Sequence, residues 1–437
     1  MSDLTSEVIE AKRAALALAA LPSETKDRAL EAMAAALESH KAGILEANAE
    51  DVRDSEGKIP PEMMRRLKTD AGKVDDMIAS MKSVASLPDP VGETMDTVEL
   101  DEGLTLYQIR CPIGLVGVIF EARPEVVPQI MSLCLKSGNA VVFKGGSEAK
   151  RSNRALFDIL RDAAASEGVP KEAFVLMESR EDVSEILKLD GVIDLLVPRG
   201  SYSFVKYIQD NTKIPVLGHS AGVCHVYIDG AAELQKAIDV TVDSKAQYPA
   251  VCNAAEQLLV DRKIAKFILP RVADALIAKG VEIRASPECM PHLLGLPVKE
   301  ATEADKSAEY DDRIINVRIV DGLEDAIAQI NTYGSHHTDC IVTEDRRAAE
   351  RFIKGVDSAD VMVNASTRFA DGYRFGKGAE IGISTGKVHA RGPMGMEGLC
   401  IYKYVVIGNG QKVADYTGPH AKKYLHRHIQ KKLDLGE

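Results

Sequence analysis

What the chain lacks narrows its function first. No apolar run approaches the roughly 18–20 residues of a membrane span. The stretch MSDLTSEVIEAKR has no apolar centre, so it does not read as a secretory signal. Cysteine occurs seven times, an odd number, without C-x-x-C or paired Cys/His spacing. That argues against a disulfide framework or a structural zinc site, and for reduced thiols in the cytoplasm. A cationic excess is also missing. Lys plus Arg number 54 against 66 Asp plus Glu, a net charge of −12. General nucleic-acid binding needs a cationic face and is disfavoured. There is no solenoid repeat and no low-complexity linker.

What is present suffices for a large core. The chain has 437 residues, 45% of them hydrophobic, and its length predicts about three domains. The first 85 or so residues read as amphipathic helix, rich in Ala, Leu, Met, Glu and Lys, with Ser23 as an N-cap. The run EAMAAALESHKAGILEANAEDV keeps no strict heptad, which favours globular helices over a coiled coil. From Gly114 strands and helices alternate: GLVGVIF, AVVFK, AFVLME and DLLVP are continuous apolar runs between helical stretches. A second series starts near residue 231 and includes EQLLV, VEIR, NVRIV, CIVT and VMVN. Two such series predict two α/β domains with parallel sheets and a cleft between them, with ligands beyond the carboxyl ends of the strands. Residues 286–312 read as an irregular insert. TVELDEGLTLYQIR (97–110) and CIYKYVVIGNGQK (400–412) read as strands with exposed edges, which predicts subunit association.

Several motifs carry chemistry. Gly218-His219-Ser220-Ala221-Gly222 matches G-x-S-x-G, which would make Ser220 a hydrolase nucleophile. A nucleophile elbow needs a helix next, and VCHVYID reads as a strand. Lys144-Gly145-Gly146-Ser147-Glu148 closes a strand and opens a helix, a turn that offers N–H groups and a cation to a phosphate. Gly200-Ser201 is a second turn of that kind. Ordinary Gly turns explain both equally well. Cys252, in YPAVCNAAEQ, sits between the two α/β series and is a candidate nucleophile. Cys134, Cys289, Cys340 and Cys400 read as small buried hydrophobes. The Gly-rich stretch 364–398 carries Arg368, Arg374, Lys377, His389 and Arg391 and suits an anionic ligand. His336-His337 and His426/His428 lack partner ligands at metal spacing and read as solvated.

Together these pieces resemble the aldehyde dehydrogenase superfamily and, within it, the gamma-glutamyl phosphate reductases, also called glutamate-5-semialdehyde dehydrogenases. The resemblance is carried by CPIGLVGVIFEARPEV (111–126), LCLKSGNAVVFKGGSEA (133–149), VPRGS (197–201), YPAVCNAAEQLLV (248–260), NTYGSHHTDCIVTED (331–345) and VNASTRFADGYRFGKGAEIGISTGKVHARGPMGMEGL (363–399). It implies an α/β fold with two Rossmann-like parallel-sheet domains and a small β oligomerisation element. The corresponding boundaries are 1–230 for the helical N-terminus and nicotinamide domain, 231–396 for the catalytic domain, 97–110 and 399–412 for oligomerisation strands, and 413–437 for a tail.

The resemblance also implies roles. Cys252 would be the nucleophile. Lys144, Gly200, Ser201 and Glu309 would bind NADPH, although the usual Phe-Gly-Pro after Glu309 is missing. Arg123 stands where hydrolytic relatives carry an oxyanion-hole Asn and would face the phosphate of L-glutamate 5-phosphate. His389 and Arg391 would bind the same substrate. No metal is implied. Hydrolytic relatives place a Glu ahead of the cysteine to activate water, and here VLGHSAG has none. The implied activity is therefore reduction of the acyl phosphate in proline biosynthesis, rather than hydrolytic aldehyde oxidation or Ser220 hydrolysis. The implied partners are a separate glutamate 5-kinase that supplies the substrate and further copies of the chain.

Overall fold

The computed structural model describes residues 3–178, 182–218 and 221–434. Helices α1 (Asp3–Ala19), α2 (Ser23–Ser39), α3 (Lys41–Ser55), α4 (Pro61–Leu67) and α5 (Ala71–Ser86) open the chain. They are separate globular helices. Leu30, Met33 and Leu37 of α2 and Val74, Ile78 and Met81 of α5 form helical stripes buried in one core. Ser23 is not the N-cap. Pro22, with extended backbone, takes that position, so Ser23 is already the first helical residue and no side chain caps α2.

A hairpin of β1 (Thr94–Asp101) and β2 (Leu104–Pro112) follows. The sequence suggests one strand over 97–110. The structure has two, because Gly103 turns the chain at φ +69°. Then come β3 (Leu115–Phe120), α6 (Val126–Lys136), β4 (Ala140–Gly145), α7 (Lys150–Ser166), β5 (Phe174–Met177), α8 (Asp182–Ile186), β6 (Leu195–Arg199) and α9 (Tyr202–Asn211). The strands form a parallel sheet in the order β5-β4-β3-β6. Every residue of β3 is buried, which is why its sequence is one apolar run. The connections diverge from β3 towards β4 on one side and β6 on the other. The crevice at such a switch point is where α/β sheets bind ligands.

A second parallel sheet is built from β7 (Cys224–Ile228), β8 (Ala255–Asp261), β9 (Glu282–Ala285), β10 (Val298–Glu300), β11 (Ile314–Val320), β12 (Thr338–Val342) and β13 (Asp360–Val363). Its order is β10-β9-β11-β8-β7-β12-β13. Helices α10 (Leu234–Ala246), α11 (Arg262–Ala278), α12 (Leu323–Tyr333) and α13 (Arg346–Gly355) connect it. β7 lies inside the expected 1–230 unit, yet it pairs with β8 and β12 of the second sheet. Within 286–312, Val298–Glu300 adds an edge strand rather than remaining irregular.

The Gly-rich stretch contains a small hairpin of β14 (Gly382–Ser384) and β15 (Gly392–Met394). β16 (Cys400–Ile407) then pairs antiparallel with β2, and β17 (Arg427–His428) with β1. The result is a four-stranded sheet, β16-β2-β1-β17, in which the expected tail supplies an edge. On the open edge β16 exposes Ile401, Tyr402, Tyr404 and Val406. No described helix is long and apolar enough to cross a membrane.

Candidate active site

Cys252 stands on the turn between α10 and β8, half-buried. This is the amino end of a strand. In the second sheet the candidate nucleophile therefore does not stand beyond a carboxyl end, where the sequence pattern had placed ligands. The Ala254 N–H closes the turn on the Val251 carbonyl at 2.9 Å. Asn253 is clamped to the Gly-rich stretch: its Nδ2 donates to the Ala370 carbonyl at 2.7 Å, and the Arg368 guanidinium donates to its Oδ1. Arg368 is held in turn by Gln247 Oε1 at 3.0 Å.

Gly222 passes over this turn. A Cβ there would lie 2.5 Å from Cys252 Cα and 2.7 Å from its carbonyl carbon, so only glycine fits. The Gly222 N–H donates to Glu309 Oε1 at 2.8 Å. One glycine thus links the candidate nucleophile to Glu309. The Cys224 thiol donates to the Cys252 carbonyl at 3.2 Å. Burial pushes the Cys224 thiol well above the ordinary range, as it raises Cys134, Cys289, Cys340 and Cys400. Those four are buried, in line with their reading as small hydrophobes.

The first sheet contributes the loop after β3. Ala122 adopts φ +44°, which is unusual without glycine. Its N–H donates to Glu148, and its methyl packs in a small cluster with Leu67 and Ala149. Arg123 follows, and its buried Nε has no hydrogen-bond partner. Burial pushes its guanidinium down to about 10, the charges of Arg199 and Arg66 push the same way, and Glu125 and Cys252 oppose them. Cys252 acts on Arg368 as well. The charges of two guanidinium groups are therefore felt at the thiol.

Lys144 ends β4, nearly buried, with Nζ donating to the Gly145 carbonyl at 2.7 Å. At the end of β6, the Ser201 N–H donates to Glu121 Oε2 at 3.1 Å. A Cβ on Gly200 would lie 2.6 Å from that same oxygen. This turn, at the N-terminus of α9, already holds an anionic oxygen. Its amide and its bare glycine fit a dinucleotide phosphate, provided that Glu121 yields.

His389 and Arg391 belong to a different set of contacts. Arg391 donates to Asp357 Oδ1 at 3.0 Å and to the Asp357 carbonyl at 3.1 Å, and Lys387 pairs with Asp357 at 2.6 Å. His389 is exposed at φ +73°, and desolvation lowers its pKa. Ser220 and His219 lie outside the described residues. The segment after Gly222 is β7, a strand rather than the helix a nucleophile elbow requires. Among the described residues no cluster of His, Cys, Asp or Glu is placed to hold a metal ion.

Sequence reasoning missed the Lys245–Glu256 pair, which is buried, 2.6 Å apart, and joins α10 to β8 on either side of the Cys252 turn. Burial pushes the Glu256 carboxyl up to about 8 against the opposing pull of Lys245, with Glu309 and Asp311 adding to the rise. A glutamate inside the apolar run AEQLLV was the available signal.

The aldehyde dehydrogenase family model matches residues 2–289. A gamma-glutamyl phosphate reductase of Methanosarcina acetivorans is 56% identical, covering 99% of this chain and 98% of its own. The corresponding protein of Ruminiclostridium cellulolyticum is 49% identical over 96% and 97%. Among solved structures, the gamma-glutamyl phosphate reductase of Thermotoga maritima has TM-score 0.91 and 38% identity, covering 94% of this chain and 100% of that one. The fold also matches an acetylating aldehyde dehydrogenase from Geobacillus thermoglucosidasius, at TM-score 0.66 and 20% identity over 94% and 97%.

Proposed function

Because the chain belongs to the aldehyde dehydrogenase family and, within it, to the gamma-glutamyl phosphate reductases, we propose that it reduces L-glutamate 5-phosphate to L-glutamate 5-semialdehyde with NADPH, releasing phosphate, as a step of proline biosynthesis. The Cys252 thiolate attacks the acyl carbon. The carbon–oxygen bond to phosphate breaks, phosphate leaves with the electron pair, and a thioester forms. Arg123 faces the departing phosphate, and backbone N–H groups of the cysteine turn stabilise the developing oxyanion. The nicotinamide cofactor, held by Lys144, the Gly200-Ser201 turn and Glu309, supplies the hydride that reduces the acyl carbon. Collapse of the thiohemiacetal then breaks the carbon–sulfur bond, restores the thiolate and frees the aldehyde.

The observation that carries this reading is the shared glycine. Gly222 packs on the Cys252 backbone while giving its N–H to Glu309, so the nucleophile and the proposed ribose carboxylate form one unit. No glutamate stands in VLGHSAG to activate water, which suits a thioester that must survive until reduction. His389 and Arg391 remain proposed substrate contacts. The open edge of β16, with its exposed Ile401, Tyr402, Tyr404 and Val406, supports association with further copies of the chain. The acyl phosphate would come from a glutamate 5-kinase, and both enzymes would work in the cytoplasm.

The test runs the reaction backwards. The protein is mixed with glutamate 5-semialdehyde, phosphate and NADP, and nicotinamide absorbance is followed beside Cys252→Ala. Phosphate-dependent reduction of NADP, lost in the variant, is expected. Reduction that needs no phosphate would overturn the proposal in favour of hydrolysis.

A further inference from the structure

β3 and β6 lie side by side with Phe120 opposite Arg199, and the Glu121 N–H donates to the Arg199 carbonyl at 3.1 Å. Two residues later Arg123 emerges beside Arg199. Leu67 packs in the same small cluster as Ala122, which sets the last turn of α4, and hence Arg66, against this loop. Three guanidinium groups from three elements therefore converge. Among the described residues, none of them forms an ion pair with a carboxylate. The buried Arg123 Nε has no partner at all, and Arg199 spends one N–H on the Ile381 carbonyl. The repulsion is felt at Arg123, where Arg199 and Arg66 add to the effect of burial. Like charges gathered around the buried Arg123 guanidinium are costly, a cost that Glu125 offsets in part and a visiting anion would offset further. Arg123, at the centre of the cluster, also lies within the electrostatic reach of Cys252.

We infer that Arg66, Arg123 and Arg199 form a subsite for the phosphoryl dianion of the substrate, with Arg66 reaching it from the N-terminal helices. The inference rests on the reductase reading and extends it by two residues and by a role for the helical segment. A phosphoryl group offers several oxygens to several guanidinium forks, whereas a carboxylate saturates one. The site beside Cys252 is also where the leaving group departs.

The experiment varies phosphate in the reverse reaction, with Arg66→Met and Arg199→Met. The KM for phosphate rises about 10- to 100-fold in each variant, while the KM for semialdehyde and the affinity for NADP change little. Arg66→Lys recovers part of the loss. Inorganic phosphate slows alkylation of Cys252 by iodoacetamide in the parent protein, and does so less in Arg66→Met. Should Arg199→Met fail to fold, the half-exposed Arg66 carries the test alone. An unchanged phosphate KM in Arg66→Met overturns the inference. So does a rise in semialdehyde KM instead, which would assign the cluster to the α-carboxylate. Phosphate-independent turnover of the parent protein would instead defeat the reductase reading itself.

Discussion

Replacing Gly222 with alanine tests how tightly the proposed nucleophile, Cys252, is positioned. The added Cβ would lie 2.5 Å from Cys252 Cα and 2.7 Å from its carbonyl carbon. Non-bonded carbons rest at about 3.5–4.0 Å, so the cysteine turn must retreat by about 1 Å. Gly222 is not among the positive-φ glycines, so the strain comes from contact alone. A displacement of that size at a reacting atom costs about 100-fold in rate. Overpacking costs about 1–3 kcal/mol of stability, which leaves a protein of this size folded. The assay is phosphate-dependent reduction of NADP by glutamate 5-semialdehyde, run beside a urea titration. Gly191→Ala is the control, because nothing lies within 4 Å of a Cβ there. Activity of Gly222→Ala within about threefold of the parent would refute the positioning argument.

Three further outcomes follow from the geometry. Lys245→Met leaves the buried Glu256 carboxyl without its hydrogen-bond donor and lowers stability by about 1–3 kcal/mol in a urea titration, and no measurable loss would contradict the buried pairing. The Asp360 carboxyl is pushed up to about 6 by burial, and its Oδ2 has no hydrogen-bond partner. Between about pH 4 and that value the folded state binds the extra proton, so stability falls as pH rises, by at most about 3 kcal/mol. Asp360→Asn flattens the melting temperature across that window, and an unchanged slope would rule the group out. Glu121→Gln weakens the internal occupant of the Ser201 turn and tightens NADPH binding about threefold in a fluorescence titration, whereas weaker binding would mean that Glu121 helps to hold the cofactor.

The two sheets were legible because strands buried on both faces read as unbroken apolar runs, as in GLVGVIF and CIVT. Pairing was not legible, since it depends on residues distant in the chain. β7 reads as a strand, but only its bonds to β8 and β12 place it in the second sheet. The hairpin at Gly103 was signalled only by the short Asp101-Glu102-Gly103 run inside an otherwise strand-like segment. At the site, the resemblance supplied roles for Cys252, Arg123, Lys144 and Glu309. The need for glycine at 222 was invisible, because it arises from a backbone 30 positions further on. Arg66 lies within the helical N-terminal segment, where its sequence pattern carries no signal of a site. Only the packing of Leu67 on Ala122 brings it to Arg123.

A rapid-mixing burst tests for the thioester on Cys252 that waits for phosphate. The protein is mixed with glutamate 5-semialdehyde and NADP, without phosphate, and NADPH formation is followed. One equivalent of NADPH per Cys252 and then a halt is expected, with steady turnover resuming when phosphate is added and no burst in Cys252→Ala. Continuous turnover without phosphate, or an equal burst in the variant, would contradict it.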